Sequence, residues 1–389
     1  MLCGTYSIPK YGGINMASIL DIENLKVNFY TYEGVVKAID EISFSLEDGD
    51  TLGVVGETGC GKSVTVLSIL RLISPPGRIE SGRILFRGGG SVRDLVGEDE
   101  EFMRDLRGND ISMIFQEAGN ALNPVLTVGD QVSESFLLHR QHELCESVLS
   151  RLYASIEARG AASLFLRLAT ALYRRKLKKA EHNRLKYRRY GRLLRGEAMD
   201  RSVDLLLSLG IPNPEQVVRR YPHELSGGMQ QRVVISMALA CNPTVLIADE
   251  PTSNLDVTIQ AQILRLIEDL KERYRSSTLF ITHDLGVVSE IADKVIVLYA
   301  GTIVEYAGVR ELFKNPLHPY TKALLRSVPR LGNRERLESI GGSVPNLVQP
   351  PSGCRFHPRC PHAMDICRRE KPPIYHGAAK HLVACFLYR

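Results

Sequence analysis

The stretch Gly56–Ser63, GETGCGKS, constrains the fold of this 389-residue chain more than any other. A short apolar run, Thr51–Val55, precedes it and predicts a buried parallel strand, and the next stretch, Ser63–Leu72, predicts a helix. The pattern GxxxxGK[ST] between a strand and a helix is typical of a phosphate-binding loop, because glycines let the backbone curl around phosphates and its N–H groups attract them. A glycine-rich turn with a surface lysine is the alternative.

The side chains of this loop have distinct predicted roles. Lys62 adds a full positive charge at the β- and γ-phosphates, and the Ser63 hydroxyl can bind Mg²⁺. Cys60 lies inside the loop, where we expect the positive surroundings to make its thiol a reactive thiolate. The residues predicted to contact a nucleotide here are Gly56, Glu57, Thr58, Gly59, Cys60, Gly61, Lys62, Ser63 and Val64.

A second apolar run, Thr244–Ala248, predicts a strand, and the acids Asp249 and Glu250 follow it in VLIADE, residues 245–250. At that sheet edge Asp249 can hold Mg²⁺, and Glu250 can orient or deprotonate an attacking water. A solvated turn is the alternative for two adjacent carboxylates. A further strand, Thr278–Thr282, and the helical patterns between these runs predict an α/β fold with a parallel sheet covered on both faces.

A third stretch, Leu225–Arg232 (LSGGMQQR), predicts a second phosphate-binding feature. Ser226, Gly227 and Gly228 precede a helical run, Gln230–Leu239, and a helix N-terminus of this kind attracts anions. One phosphate loop and one separate phosphate-binding helix start give the chain one half-site too many. Dimerisation resolves this if the second half-site completes the nucleotide site of a partner chain.

Together these motifs resemble the ATP-binding-cassette (ABC) family. The order and spacing of the phosphate loop, LSGGM, LIADEP, the loop Ser253–Asp256 and Thr282–Asp284 match that family. The resemblance implies a P-loop, RecA-like nucleotide-binding domain with a helical subdomain and an N-terminal antiparallel β subdomain. It also implies further ligands: Gln116 for Mg²⁺ and the nucleotide, His283 for the γ-phosphate, Asp256 for the nucleotide, and Phe29, with Tyr30 as a rival, for adenine.

Other stretches resemble one branch of the family, the oligopeptide and dipeptide importer ATPases. They are Tyr221–Glu224, Asn315–Tyr320 and Gly353–Pro361, while Lys62–Thr65 and Met229–Gln231 favour its D-type subunit. The resemblance implies an ATP-hydrolysing subunit that works head to tail with an F-type ATPase on two membrane permease subunits, supplied by an extracytoplasmic substrate-binding protein. Peptides are the expected cargo, with oligosaccharides and nickel as alternatives.

Two other functions compete with this one. A soluble ABC ATPase acting on nucleic acid or ribosomes usually has two cassettes or a large insert, whereas this chain has one cassette and only a basic insert. A non-catalytic module that uses ATP as structural glue does not need Glu250 and His283, which are both present.

Composition along the chain and the family resemblance together predict three regions. Residues 1–17 are an N-terminal extension expected to be disordered, 18–304 the ABC ATPase domain, and 305–389 an oligopeptide-importer C-terminal domain. The helical subdomain is expected at about 115–225, with a basic insert at about 140–200. Residues 151–200 carry 14 Lys and Arg against 4 Asp and Glu although the net charge of the chain is only +5, so the basicity is local and does not indicate nucleic-acid binding. The segment 174–195 fits a solvated helical hairpin or contact with anionic lipid headgroups.

The apolar runs bear on location. None reaches the ~18 residues that a membrane-spanning helix needs, and the N-terminus lacks the apolar core of a secretory signal. We therefore expect a peripheral protein, held by permeases at the cytoplasmic face of the cell membrane.

Four of the eight cysteines fall within the last 36 residues: Cys354, Cys360, Cys367 and Cys385. Four thiolates suit tetrahedral Zn²⁺ or a four-iron cluster. Their spacing contains no CxxC pair, so the residues alone favour neither metal, and buried reduced cysteines are a third interpretation. The resemblance to the importer C-terminal domain favours a [4Fe–4S] cluster with a structural role over zinc.

Overall fold

The computed structural model describes residues 18–158, 191–253, 255–327, 340–377 and 381–389. The predicted extension 1–17 and most of the basic segment 174–195 lie outside these residues. Contacts divide the chain into two compact units. The first unit is Met1–Met113, Thr244–Pro251 and Ile267–Arg389, and the second is Ile114–Pro243 and Thr252–Leu266.

The secondary structure of the described residues is mixed. The strands are β1 (Ser18–Thr31), β2 (Gly34–Glu47), β3 (Thr51–Val55), β4 (Gly77–Gly88), β5 (Ser91–Asp94), β6 (Ile111–Ile114), β7 (Val245–Asp249), β8 (Ser277–Thr282), β9 (Lys294–Tyr299), β10 (Thr302–Gly308), β11 (Tyr375–His376) and β12 (Leu382–Val383). The α-helices are α1 (Lys62–Ile69), α2 (Glu100–Leu106), α3 (Ala118–Ala121), α4 (Val128–His139), α5 (Gln141–Ala158), α6 (Gly191–Ser208), α7 (Pro214–Val217), α8 (Gly227–Leu239), α9 (Val257–Tyr274), α10 (Leu285–Ile291), α11 (Val309–Lys314), α12 (Pro319–Arg326) and α13 (Asp365–Arg369).

An antiparallel sheet opens the first unit, with strand order β2-β1-β4-β5. Among the buried residues of β1 are two alternating apolar pairs, Leu20 with Ile22 and Leu25 with Val27. A register shift between Ile22 and Leu25, where Asn24 takes a φ of 49°, returns the second pair to the core face. The antiparallel β subdomain implied by the resemblance is confirmed.

The second sheet carries the strands that precede the phosphate loop and end at the acids Asp249 and Glu250. Its order is β11-β12-β10-β9-β3-β8-β7-β6. β3 runs parallel to β8 and β9, and β7 runs parallel to β8. Val55 pairs with Thr282 and Asp249 with Ile281, so these strands end at one edge of the sheet. The predicted α/β fold with parallel strands is confirmed.

The second unit is mostly helical, as the resemblance implied. Thr127 caps α4, its hydroxyl accepting a hydrogen bond from the Asp130 N–H at 3.2 Å. Gly129 allows close packing inside the unit, because a Cβ there would lie 2.5 Å from Met199 Sδ and 2.8 Å from the Val218 carbonyl oxygen. No helix within the described ranges is both long and apolar enough to span a membrane.

The region after β10 belongs to the first unit. β12 pairs antiparallel with β10 and extends the second sheet, and β11 pairs with β12. Tyr320 of α12 and Phe356 pack on Tyr299 at the end of β9, with ring centroids 4.6 Å and 5.1 Å from that of Tyr299. β10 runs across residues 304 and 305, and the domain boundaries expected from the sequence stay predictions.

Candidate functional site

The phosphate loop connects β3 to α1. Gly61 comes directly before α1 with a φ of 106°, a conformation that favours glycine. A Cβ on Gly56 would lie 2.2 Å from the Leu298 carbonyl oxygen, so a larger residue cannot follow this path. The buried ammonium of Lys62 donates to the carbonyl oxygens of Gly56 at 2.7 Å and Glu57 at 3.2 Å. The Lys62 side chain therefore lies across the phosphate loop and bonds to its backbone.

Asp249 ends β7 next to this loop. Burial raises the pKa of its carboxyl, and the nearby Ser63 hydroxyl partly opposes that shift. Among the described residues, Oδ1 of Asp249 is buried without a hydrogen-bond partner. A bound cation would satisfy such an oxygen, and a carboxylate beside a hydroxyl is a donor set that suits Mg²⁺. Ser63 and Asp249 therefore fit the predicted metal.

Glu250 and His283 follow two neighbouring parallel strands. The Glu250 N–H donates to the Ile281 carbonyl oxygen at 2.9 Å, and Glu250 takes a φ of 47°, which turns the chain at the sheet edge. Oε1 of Glu250 lies 3.1 Å from Nδ1 of His283. The Glu250 side chain is 13% exposed, and that of His283 is 61% exposed. The first unit thus brings together Lys62, Ser63, Asp249, Glu250 and His283.

The two aromatic candidates for adenine lie on β1. Phe29 is half-buried against the core, and a Cβ on Gly77 would lie 2.6 Å from its ring. Tyr30 is 45% exposed and donates to Oε1 of Glu80 at 2.8 Å. Stacking by Phe29 stays a prediction.

The remaining predicted nucleotide ligands belong to the second unit. Gln116 is exposed, two residues after β6, and Ser226 occupies the N-cap position of α8. A Cβ on Gly228 would lie 3.1 Å from Ile259, whose N–H donates to Oδ1 of Asp256 at 3.0 Å. The second unit therefore places Asp256 close to the start of α8, which also carries Gly227.

Comparisons with known proteins decide the family. The family model described as "ABC transporter" matches residues 39–253, and "Oligopeptide/dipeptide transporter, C-terminal region" matches residues 304–367. The chain is 43% identical to "Probable peptide ABC transporter ATP-binding protein y4tR" of Sinorhizobium fredii, over 95% of this chain and 94% of that protein.

This chain belongs to the ABC transporter family. It is 42% identical to two Bacillus subtilis proteins, "Oligopeptide transport ATP-binding protein AppD", with 96% and 98% of the two chains covered, and "Dipeptide transport ATP-binding protein DppD", with 96% and 95% covered. These names agree with the D-type resemblance. A solved structure, the ATP-binding cassette MJ0796 as a post-hydrolysis dimer with ADP and Pi, shares the fold at 22% identity and a TM-score of 0.53, over 75% of this chain and 99% of that one.

The environment of Cys60 in this ABC ATPase contradicts the prediction of a reactive thiolate. Its side chain is fully buried among core residues, and burial raises the pKa of its thiol despite the positive charge of Lys62. The prediction of a reactive thiolate is wrong, because the thiol is packed in the hydrophobic core and burial favours its protonated form. A Cβ on Gly56 would lie 2.7 Å from that sulfur.

The four C-terminal cysteines of the ABC ATPase line one small cavity, together with His318 and Phe356: they are Cys354, Cys360, Cys367 and Cys385. All four are free thiols. Burial raises the pKa of Cys354 to about 12 and also raises the pKa of Cys360 and Cys385. In the part of the chain that the structure describes, no three His, Cys, Asp or Glu residues are placed to hold a single metal ion.

Two residues that contact the phosphate loop were not predicted from the sequence. Tyr320 accepts a hydrogen bond from the Glu57 N–H at 2.9 Å, and Arg359 pairs with the Glu57 carboxylate at 2.7 Å. Both lie in stretches that resemble the importer branch, Asn315–Tyr320 and Gly353–Pro361. That was the only signal in the sequence, since neither residue type suggests contact with a phosphate loop.

Proposed function

We propose that this chain binds MgATP at Gly56–Ser63 and hydrolyses it to drive the import of oligopeptides or dipeptides. The observation that carries the proposal is that Lys62, at the start of α1, meets Asp249, Glu250 and His283 at the ends of β7 and β8. The family and the names of the relatives support ATP as the substrate and peptides as the cargo.

Each residue has a separate role in hydrolysis. Lys62 leaves the carbonyl oxygens of the loop and neutralises the β- and γ-phosphates. Ser63 and Asp249 would hold Mg²⁺, which supplies charge neutralisation on the phosphate oxygens when bound, and the role of Gln116 as a further ligand stays a prediction. Glu250 takes the proton of the attacking water on its carboxylate, and Nδ1 of His283 holds Oε1 of that carboxylate in place while the ring reaches the γ-phosphate.

We propose a head-to-tail pair as the working state. Ser226, Gly227 and Gly228 at the start of α8, with Asp256 nearby, would complete the nucleotide site of a second chain. This arrangement uses both the phosphate loop and the separate helix start. The second chain would be an F-type ATPase, and the pair would work on two permease subunits supplied by an extracytoplasmic substrate-binding protein. The chain would then be peripheral, at the cytoplasmic face of the cell membrane, and lipid contact by 174–195 stays a prediction.

Reconstitution tests this function. The chain is co-expressed with a candidate F-type ATPase and two permeases, purified as a complex and placed in proteoliposomes. We expect peptide-loaded binding protein to stimulate ATP hydrolysis and peptide uptake, and a complex with Glu250→Gln to do neither. Failure of the wild-type chain to co-purify with permeases, together with ATPase activity that follows added RNA, would favour the nucleic-acid alternative.

We also propose that Cys354, Cys360, Cys367 and Cys385 hold a [4Fe–4S] cluster with a structural role. Their convergence on one cavity is the observation that supports a shared site with four thiolate ligands. The cavity measures about 10 Å³, room for about one water, so the thiols would have to move apart around a cluster. Metal binding would also drive the raised thiol pKa values down, since the ligands bind as thiolates.

Anaerobic purification tests the cluster. We expect a brown protein that absorbs near ~400 nm and holds about four irons per chain. Cys360→Ser should lose the colour and lower the thermal stability of the C-terminal region. Colourless protein with one zinc per chain, or protein with neither metal, would reject the cluster.

A further inference from the structure

Glu57, the second residue of the phosphate loop, is fixed at three of its groups. Its N–H donates to the Tyr320 hydroxyl at 2.9 Å. Its carboxylate accepts from Nη1 of Arg359 at 2.7 Å and from Nη2 at 3.1 Å. Its carbonyl oxygen accepts from Nζ of Lys62 at 3.2 Å. Two of these three ties come from residues more than 260 positions away, after β10.

Arg359 is built to hold that carboxylate. Its side chain is only 5% exposed, and its two terminal nitrogens meet the two oxygens of Glu57 as a fork. Its Nε donates to the Gly341 carbonyl oxygen at 2.8 Å, and its guanidinium carbon lies 5.8 Å from the ring centroid of Tyr299. The arginine is therefore anchored on its remaining sides and presents its fork to the loop in one orientation.

Tyr320 is equally constrained. It is fully buried, and its ring centroid lies 4.6 Å from that of Tyr299 and 5.4 Å from that of Phe356. Its own N–H donates to Nδ1 of His318 at 3.0 Å. Packing in this aromatic cluster therefore fixes the position at which the Tyr320 hydroxyl accepts from the Glu57 N–H.

We propose that Arg359 and Tyr320 are positioning residues for the phosphate loop. By fixing Glu57 they fix the carbonyl oxygens on which Lys62 lies, in a loop where three of six residues, 56–61, are glycines. A glycine-rich loop has many conformations, and holding it in one reduces the ordering cost of binding phosphate. The inference rests on the proposed function, in that the loop is taken to bind MgATP.

The position of Arg359 adds a consequence. It lies between Cys354 and Cys360, and Phe356 of the same short segment lines the cysteine cavity. The segment that shapes the cysteine site therefore also holds the phosphate loop. Disturbance of that segment should reach nucleotide affinity through Glu57.

A double-mutant cycle on nucleotide affinity tests the proposal with the full-length chain and a fluorescent ATP analogue in the presence of Mg²⁺. We expect Arg359→Met and Glu57→Gln each to weaken binding by about 5- to 150-fold, the usual range for coupled sites. The double variant should bind no more weakly than the worse single variant, because both changes break one pair. Arg359→Lys keeps the positive charge without the two-pronged guanidinium. Its affinity for the analogue should lie between those of the wild type and Arg359→Met. Arg369→Met, an exposed arginine of the same region, should bind like the wild type.

Two outcomes overturn the proposal: Arg359→Met that binds the analogue as tightly as the wild type, or single effects that add in the double variant. If Arg359→Met fails to fold, Tyr320→Phe decides. It removes one hydroxyl from the loop and should weaken binding about two- to tenfold, as expected for one hydrogen bond, in a chain that still unfolds cooperatively on heating. Unchanged affinity in a folded Tyr320→Phe also overturns the proposal. Wild-type chain that does not bind the analogue at all rejects the proposed function instead.

Discussion

Three neighbouring side chains of the phosphate loop have three different environments. Glu57 reaches the C-terminal region, Cys60 is buried in the core, and Lys62 folds back onto Gly56. The pattern GxxxxGK[ST] predicts the backbone path, because glycines are needed at set points of the turn. It does not predict the directions of the variable positions, which depend on residues far away in the sequence. The wrong expectation for Cys60 has this origin.

The thiol of Cys60 should therefore react slowly with alkylating reagents in the folded chain. Burial and a raised pKa both lower its reaction rate with iodoacetamide at neutral pH. We expect labelling in the folded chain to be on the order of 10²-fold slower than in urea, because it requires local opening. Mass spectrometry of alkylated peptides measures this, with the half-buried Cys145 as an internal comparison. Equal labelling of Cys60 in the folded and unfolded chain would restore the thiolate prediction.

Lys62 should matter for binding itself. Lys62→Ala removes the charge that meets the phosphates, so MgATP affinity should fall by about 10- to 100-fold, the range for a hydrogen bond to a charged group. Equilibrium binding of the fluorescent analogue measures this. Unchanged affinity would mean that Lys62 stays on the carbonyl oxygens of Gly56 and Glu57 when the nucleotide binds.

At the scale of elements, the strands and helices that depend on local sequence signals agree best with their predicted bounds. The strands predicted at Thr51–Val55 and Thr278–Thr282 match β3 and β8 within one residue, because their apolar runs are local signals. Helix α8 begins at Gly227, three residues before the predicted run, since Ser226 holds the N-cap position and glycines can occupy a first turn. The antiparallel addition of β12 to β10 had no local signal.

A buried ion pair joins β2 to the cysteine region. Asp40 is 8% exposed, and its carboxylate accepts from Nη2 of Arg355 at 3.1 Å and from Lys371. Arg355 also donates to the carbonyl oxygens of Lys37 and Ala300. Burial raises the pKa of Asp40, but the hydrogen bond from Lys371 and the charge of Arg355 outweigh it and hold that pKa below its usual value.

Arg355→Met should lower the free energy of unfolding by about 3–5 kcal/mol, because it leaves a buried carboxylate without its buried partner. Urea denaturation followed by circular dichroism measures the change. Arg369→Met, on the exposed side of the same region, should stay within about 0.5 kcal/mol of the wild type. Equal free energies of unfolding for the two variants would contradict this, because Lys371 alone would then be enough to stabilise the Asp40 carboxylate.

At the scale of the whole molecule, the sequence predicts the family, the α/β fold and the two sheets, because the motifs occur in a fixed order along the chain. The link between Glu57 and Arg359 spans 302 positions and could not be predicted, since only the folded chain brings them together. The roles of Gln116, Ser226 and Asp256 belong to a nucleotide-bound pair of chains and stay predictions.

The most direct test of ATP hydrolysis at this site compares Glu250→Gln with the wild type in one complex with its partner subunits. We expect the variant to bind MgATP normally and to turn it over about 10²-fold more slowly or worse, because the water loses its general base. The closed pair should then accumulate with ATP, seen by light scattering after size-exclusion chromatography, whereas Lys62→Ala should not form it. Wild-type turnover by Glu250→Gln would contradict the account.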